Sequence, residues 1–122
     1  MKDSEDKHIL VVDDEPDMCW NFRQILEAEG YKVSTANGGE EAIDIVKKGN
    51  IDLIIMDVML PGIDGIETYR RTRKIDANLP IIMITGYPST NHAMEAIKLG
   101  VVDYITKPFS NEYIINLIKS VL

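Results

Sequence analysis

Apolar residues along this chain follow two alternating rhythms. Continuous apolar runs occur at 9–12 (Ile-Leu-Val-Val), 53–56 (Leu-Ile-Ile-Met) and 81–84 (Ile-Ile-Met-Ile). Each is too short for a helix and is bounded by polar or turn residues. Each therefore predicts a strand covered on both faces, as in a parallel sheet between helices. Two further segments read as edge strands with a wetter side: 31–36 alternates and 101–105 is mixed.

Between these runs the spacing becomes helical. Met18, Phe22, Ile25 and Leu26 share one face, and Gly30 stops that helix. Ala42, Ile43, Ile45 and Val46 form a second stripe, ended by Gly49. A third helix is predicted from about 64 to 75. A fourth, over 89–99, presents Ala93, Ala96 and Ile97 on one face and ends at Gly100. A fifth carries Ile114, Leu117, Ile118 and Val121. Five βα units imply one α/β domain over 8–122 with right-handed crossovers, preceded by a charged, flexible lead-in at 1–7. The pattern fits a flavodoxin-like (βα)5 fold, a parallel five-stranded sheet of order 2-1-3-4-5 with helices on both faces. In such sheets the site lies outside the carboxyl ends of the strands, where the strand order reverses.

Candidate chemistry gathers at that edge. Asp13, Asp14 and Glu15 follow the first strand, Asp57 ends the third, Thr85 follows the fourth, and Lys107 and Pro108 follow the fifth. Singly, most have a plain structural reading. Asp13 and Asp14 beside Pro16 suit a helix start, Thr85 an ordinary strand end, and Lys107 a surface turn. Asp57 is harder to read that way, because it closes a run that should be buried, and a buried charge needs a partner. Together the residues read as one site. Two carboxylates about 4 Å apart repel by roughly 4 kcal/mol at an effective dielectric near 20, so something positive must offset three aspartates. An all-oxygen set with open positions suits Mg²⁺, or Mn²⁺ in its place. Lys107 adds a point charge able to bind phosphate, and Thr85 a neutral hydroxyl. Such a set makes a phosphoryl-transfer site in which a carboxylate can be the nucleophile.

Four segments carry a resemblance: Leu10-Val11-Val12-Asp13-Asp14-Glu15-Pro16, Asp57-Val58-Met59-Leu60-Pro61-Gly62-Ile63-Asp64-Gly65, Ile84-Thr85-Gly86, and Asp103-Tyr104-Ile105-Thr106-Lys107-Pro108-Phe109. Together they resemble the receiver domains of two-component response regulators, over about residues 7–122. The resemblance implies that Asp57 takes a phosphoryl group from the phosphohistidine of a sensor histidine kinase or phosphotransfer domain. Asp14 and Asp57 would ligate Mg²⁺ by side chain, Asp13 mostly through water, and Met59 through its backbone carbonyl. Lys107 would pair with the phosphoryl group, Thr85 would move to bond it, and Tyr104 would turn into the space vacated. The bond before Pro108 would be cis. The face of the fourth helix, fifth strand and fifth helix would be the output surface and a surface through which two copies could pair. Such a protein is a signalling switch that catalyses its own phosphorylation, rather than a turnover enzyme. Independently of the family, Gly62 and Gly65 read as a tight turn after Asp57, and Gly86 as room for a phosphoryl group beside Thr85.

Composition narrows the alternatives. The 122 residues carry a formal charge of −7, which argues against nucleic-acid binding by this domain. The basic cluster at 70–74 reads as a solvated helix face. No run is long enough to span a bilayer, and the charged start lacks an apolar leader, so a cytoplasmic setting is expected. Cys19, the single cysteine, excludes an internal disulfide and reads as a bystander thiol on the first helix. His8 and His92 lack metal-ligand spacing, and His92 is placed on an exposed helix. Aspartyl-phosphate phosphatases and mutases often use an acid two residues after the nucleophile, and Met59 occupies that position. A receiver-like interaction module that is never phosphorylated is the remaining alternative, but it would be expected to lack the acceptor, the acid pair or the lysine. Met59 and Tyr87 flank the path of an attacking water and offer no general base, so slow self-dephosphorylation is expected. Whether the chain acts alone or within a longer regulator is left open.

Overall fold

The computed structural model describes residues 7–122. The expected lead-in at 1–7 therefore lies, apart from Lys7, outside the described residues. Ten elements alternate: β1 (His8–Val12), α1 (Pro16–Ala28), β2 (Lys32–Ala36), α2 (Gly39–Lys47), β3 (Leu53–Asp57), α3 (Gly65–Ile75), β4 (Ile81–Thr85), α4 (Thr90–Leu99), β5 (Asp103–Thr106) and α5 (Asn111–Val121). All strand pairs are parallel, and the sheet order is β2-β1-β3-β4-β5.

The continuous apolar runs are explained by two cores. Successive strand residues point to opposite faces. Leu10, Val12, Ile54, Met56, Ile81 and Met83 join α2, α3 and α4 in one cluster. Ile9, Val11, Leu53, Ile55, Ile82 and Ile84 join α1 and α5 in the other. With both faces covered, every residue of β3 and β4 is buried. The order reverses between β1 and β3, so the carboxyl ends of those two strands open side by side.

Helix α4 departs from expectation. Ala96 is its one buried residue, and Ile97, expected on the same inward face, is 70% exposed. At about 100° per residue, the narrow contact of this helix with the sheet takes in Ala96 and leaves its neighbour outside. His92 is only partly exposed, and its Nδ1 atom is buried without a hydrogen-bond partner among the described residues, contrary to a freely solvated histidine.

Candidate functional site

Local backbone structure aims the acids before any long-range contact does. Asp13 continues β1, its N–H donating to Ala36 (3.1 Å). Its Oδ1 accepts the N–H of Glu15 (2.9 Å), a short-range turn that starts α1 with a proline in the first helical turn. Asp57 closes β3, and its Oδ1 accepts the N–H of Met59 (2.8 Å), which fixes the carboxylate plane. Helix α3 begins hard against this segment. The N–H of Gly65 donates to Val58 (2.8 Å), and a Cβ on Gly65 would lie 2.7 Å from the carbonyl oxygen of Asp57. The role of Gly65 is thus close approach rather than the turn that its sequence neighbourhood suggested. Gly62, at φ 75°, does take the left-handed turn conformation.

Lys107 ties the acids together. Its N–H donates to Thr85 (2.7 Å), which hangs the residue beside the end of β4. The Lys107–Pro108 peptide is cis, and Phe109 stacks on Phe22 of α1 with ring centroids 5.3 Å apart. The ammonium lies 2.9 Å from Asp13 Oδ2, 2.9 Å from Asp57 Oδ2 and 3.7 Å from Glu15 Oε1. Asp13 and Asp57 are buried, whereas Asp14 is exposed at the rim. Burial pulls the Lys107 ammonium toward deprotonation, but hydrogen bonds to Asp57 and Asp13 and the charges of both outweigh it, so its pKa stands above the ordinary lysine value. Asp13 shifts upward as well: its burial outweighs the Glu15 N–H and the Lys107 contacts that favour the anion.

Asp13, Asp14 and Asp57 each offer an oxygen within 4.8 Å of the others. The Lys107 ammonium meets three carboxylates, those of Asp13, Asp57 and Glu15, and Asp14 adds a fourth acid beside Asp13 and Asp57. That surplus of negative charge, carried on hard oxygen donors, fits a divalent cation.

The residue-level pattern matches a known family. The model of the response regulator receiver domain covers residues 9–119. The chain belongs to that family. It is 40% identical over 116 residues, 95% of its length, to the alkaline phosphatase synthesis transcriptional regulatory protein PhoP of Bacillus subtilis, of which it covers 48%. The chain spans about half the length of the curated relatives it matches. A CheY-like receiver domain from Methanospirillum hungatei superposes with a TM-score of 0.90 at 32% identity, covering 93% of this chain and 91% of that one. The response regulator TrrA from Thermotoga maritima, solved in complex with Mg²⁺-BeF, superposes at 0.86 with 35% identity, covering 95% and 99%. This is a receiver domain of a two-component response regulator, with the flavodoxin-like strand order.

Thr85 is fully buried, and its Oγ1 accepts the N–H of Tyr87 (3.0 Å). A Cβ on Gly86 would meet nothing nearer than Lys107 Cδ at 3.8 Å, an ordinary contact, so the protein itself does not require glycine there. The Tyr104 hydroxyl is buried and has no partner among the described residues. Met59 and Tyr87 face outward, at 47% and 77% exposure. Cys19 is buried with its thiol on the Asp13 carbonyl (3.4 Å), and burial, then the Asp13 charge, push its pKa up. A thiol held that way is a poor nucleophile.

Two side-chain roles went unassigned in the sequence reading. Glu15 is a third acid on Lys107, and its position directly after Asp14 was the available signal. Arg73, read as part of a solvated basic face, instead turns inward onto Tyr69 and the carbonyls of Asp76 and Leu79.

Proposed function

We propose that residues 8–122 act as a receiver in which Asp57 accepts a phosphoryl group from the phosphohistidine of a sensor histidine kinase or phosphotransfer domain. The observation that carries this reading is the Lys107 ammonium, 2.9 Å from both Asp13 and Asp57 with Asp14 beside them. An oxygen of the Asp57 carboxylate forms the new bond to phosphorus as the phosphorus–nitrogen bond breaks. The electron pair of that bond goes to the imidazole nitrogen, which takes up a proton from solvent. The Met59 N–H holds the Asp57 carboxylate in one plane during attack. Lys107, already at the carboxylate, pairs with the incoming phosphoryl oxygens, and the Thr85 hydroxyl swings from the Tyr87 N–H to bond them.

Asp13, Asp14 and Asp57, with the Met59 backbone carbonyl, would hold Mg²⁺ or Mn²⁺, which when bound neutralises the charge building on the phosphoryl group. The donor partner approaches over a groove between α1 and the β5–α5 loop, where Met18, Phe22, Ile25 and Phe109 alternate with Asn21, Gln24 and Asn111 beside Lys107. Output passes through α4, β5 and α5, where Met94, Ile97 and Tyr113, with Val102 of the loop before β5, stand exposed and offer a surface on which two copies can pair. No described helix is long and apolar enough to cross a membrane, and we place the domain in the cytoplasm with its kinase.

Met59 and Tyr87 are turned outward, and neither side chain offers a base to an attacking water. The aspartyl phosphate therefore persists for minutes rather than seconds, a lifetime read by following decay once the donor is removed. The acceptor assignment is tested with an acyl phosphate and Mg²⁺. Whole-protein mass should rise by one phosphoryl group in the wild type and not at all in Asp57→Asn. Equal modification of the two proteins would refute Asp57 as the acceptor.

A further inference from the structure

The two ends of α4 are held by different means. At the carboxyl end, Gly100 adopts φ 90°, and the N–H groups of Gly100 and Val101 both donate to the Ala96 carbonyl. That closure leaves the Leu99 carbonyl without a helical donor. Tyr69 of α3 supplies one: its hydroxyl donates to the Leu99 oxygen. The same hydroxyl accepts from Arg73 Nε (3.1 Å), and the guanidinium lies 4.7 Å over the Tyr69 ring. A hydroxyl that accepts from a cation is a stronger donor to its next partner. Arg73 is itself fixed on the Leu79 and Asp76 carbonyls. At its other end α3 abuts the carbonyl of Asp57 through Gly65. Helix α3 is therefore a strut running from the acceptor loop to the carboxyl end of α4.

The amino end of α4 has no comparable anchor among the described residues. Its cap, in which the His92 N–H donates to Ser89 Oγ, is 3.4 Å long, and the His92 Nδ1 atom is buried without a partner among the described residues. Met94, one turn on, is 53% exposed.

We propose that Tyr69 is a positioning residue of the switch: it pins the carboxyl end of α4 to α3, so that phosphorylation moves α4 by its amino-terminal half. This rests on the reading that a phosphoryl group on Asp57 acts through α4. The test is amide hydrogen exchange on the full chain, comparing wild type with Tyr69→Phe, which keeps the ring and removes the hydroxyl. Without donor, exchange at Gly100 and Val101 should quicken about fivefold in Tyr69→Phe, with β1 and β3 unchanged. This arm does not depend on phosphorylation. After loading with acyl phosphate and Mg²⁺, the wild type should change at 89–93 and keep its rates at Gly100 and Val101. Tyr69→Phe, loaded to the same mass, should change at both ends. Unaltered Gly100 and Val101 rates in unloaded Tyr69→Phe overturn the pin. So does a loaded wild type that responds equally at both ends. If wild type takes up phosphoryl groups and α4 stays silent, the switch role fails; if it takes up none, the acceptor reading fails first and the switch role with it. Should Tyr69→Phe not fold, Arg73→Met keeps the Tyr69 hydroxyl on Leu99 and removes the cation behind it, together with its bonds to the Asp76 and Leu79 carbonyls. It should quicken the same two amides by less, and no change there also overturns the pin.

Discussion

Tyr69 and Tyr104 pack against the same core cluster, yet their hydroxyls have opposite fates. The first bonds to Leu99 and Arg73; the second is buried with no partner among the described residues. A satisfied hydroxyl contributes roughly 1 kcal/mol to stability, whereas a buried, unsatisfied one costs about 1–3 kcal/mol. Among the described residues the fold is therefore bonded tightly where α4 ends and left under-bonded at β5 and the first turn of α4, where His92 adds a second orphan atom. The same asymmetry appears in burial, with five buried residues in α3 and one in α4. Elements that change state belong to the less stable part of a structure, and here the polar bookkeeping shows where that part is.

The contrast can be bounded first by the strongest polar contact. Lys107→Met leaves Asp13 and Asp57 buried without a counter-charge and should lower stability by about 3–5 kcal/mol in urea unfolding at neutral pH. The pH dependence has a defined sign. Because folding raises the Lys107 pKa above its ordinary 10.5, its contribution is fully present below that pH and is lost as pH rises through the folded value. The stability gap between wild type and Lys107→Met should therefore be widest below about pH 10.5 and close above it. A gap that widens at high pH would contradict the geometry.

The tyrosines come next, with opposite signs. Tyr69→Phe strands the Leu99 carbonyl and should destabilise by about 1–2 kcal/mol. Tyr104→Phe removes an unsatisfied hydroxyl and should stabilise by up to about 1 kcal/mol. Chemical unfolding of both variants decides the matter. A change of the same sign at the two positions would break the comparison between them.

Much of this architecture was legible in the residues themselves. The three apolar runs at 9–12, 53–56 and 81–84 could only be strands covered on both faces, and from them the sheet and its acid edge follow. Asp57 stood out because an acid closing such a run must be buried, and it is. What stayed hidden depended on long-range side-chain direction. Nothing in the spacing of Arg70, Arg71 and Arg73 separates the first two, which pair with Glu67 and Glu95 in water, from the third, which turns onto Tyr69. Ile97 looked like a core residue because helical periodicity gives a stripe and not its width, and α4 touches the sheet along a stripe too narrow to include it. Gly65 read as a turn residue because a steric requirement set by the Asp57 carbonyl leaves no trace in local sequence.

The most direct measurement is a map of backbone amide shifts in the wild type with and without Mg²⁺ and beryllofluoride, a stand-in for the phosphoryl group. The shifts should be large at Asp57, Thr85 and Lys107, continue through residues 87–93 and Tyr104, and fade toward Gly100 and Val101. Asp57→Asn should show none of this. Shifts confined to the immediate surroundings of the acids, or as large at Gly100 and Val101 as at 89–93, would contradict a switch that moves α4 by its under-bonded end.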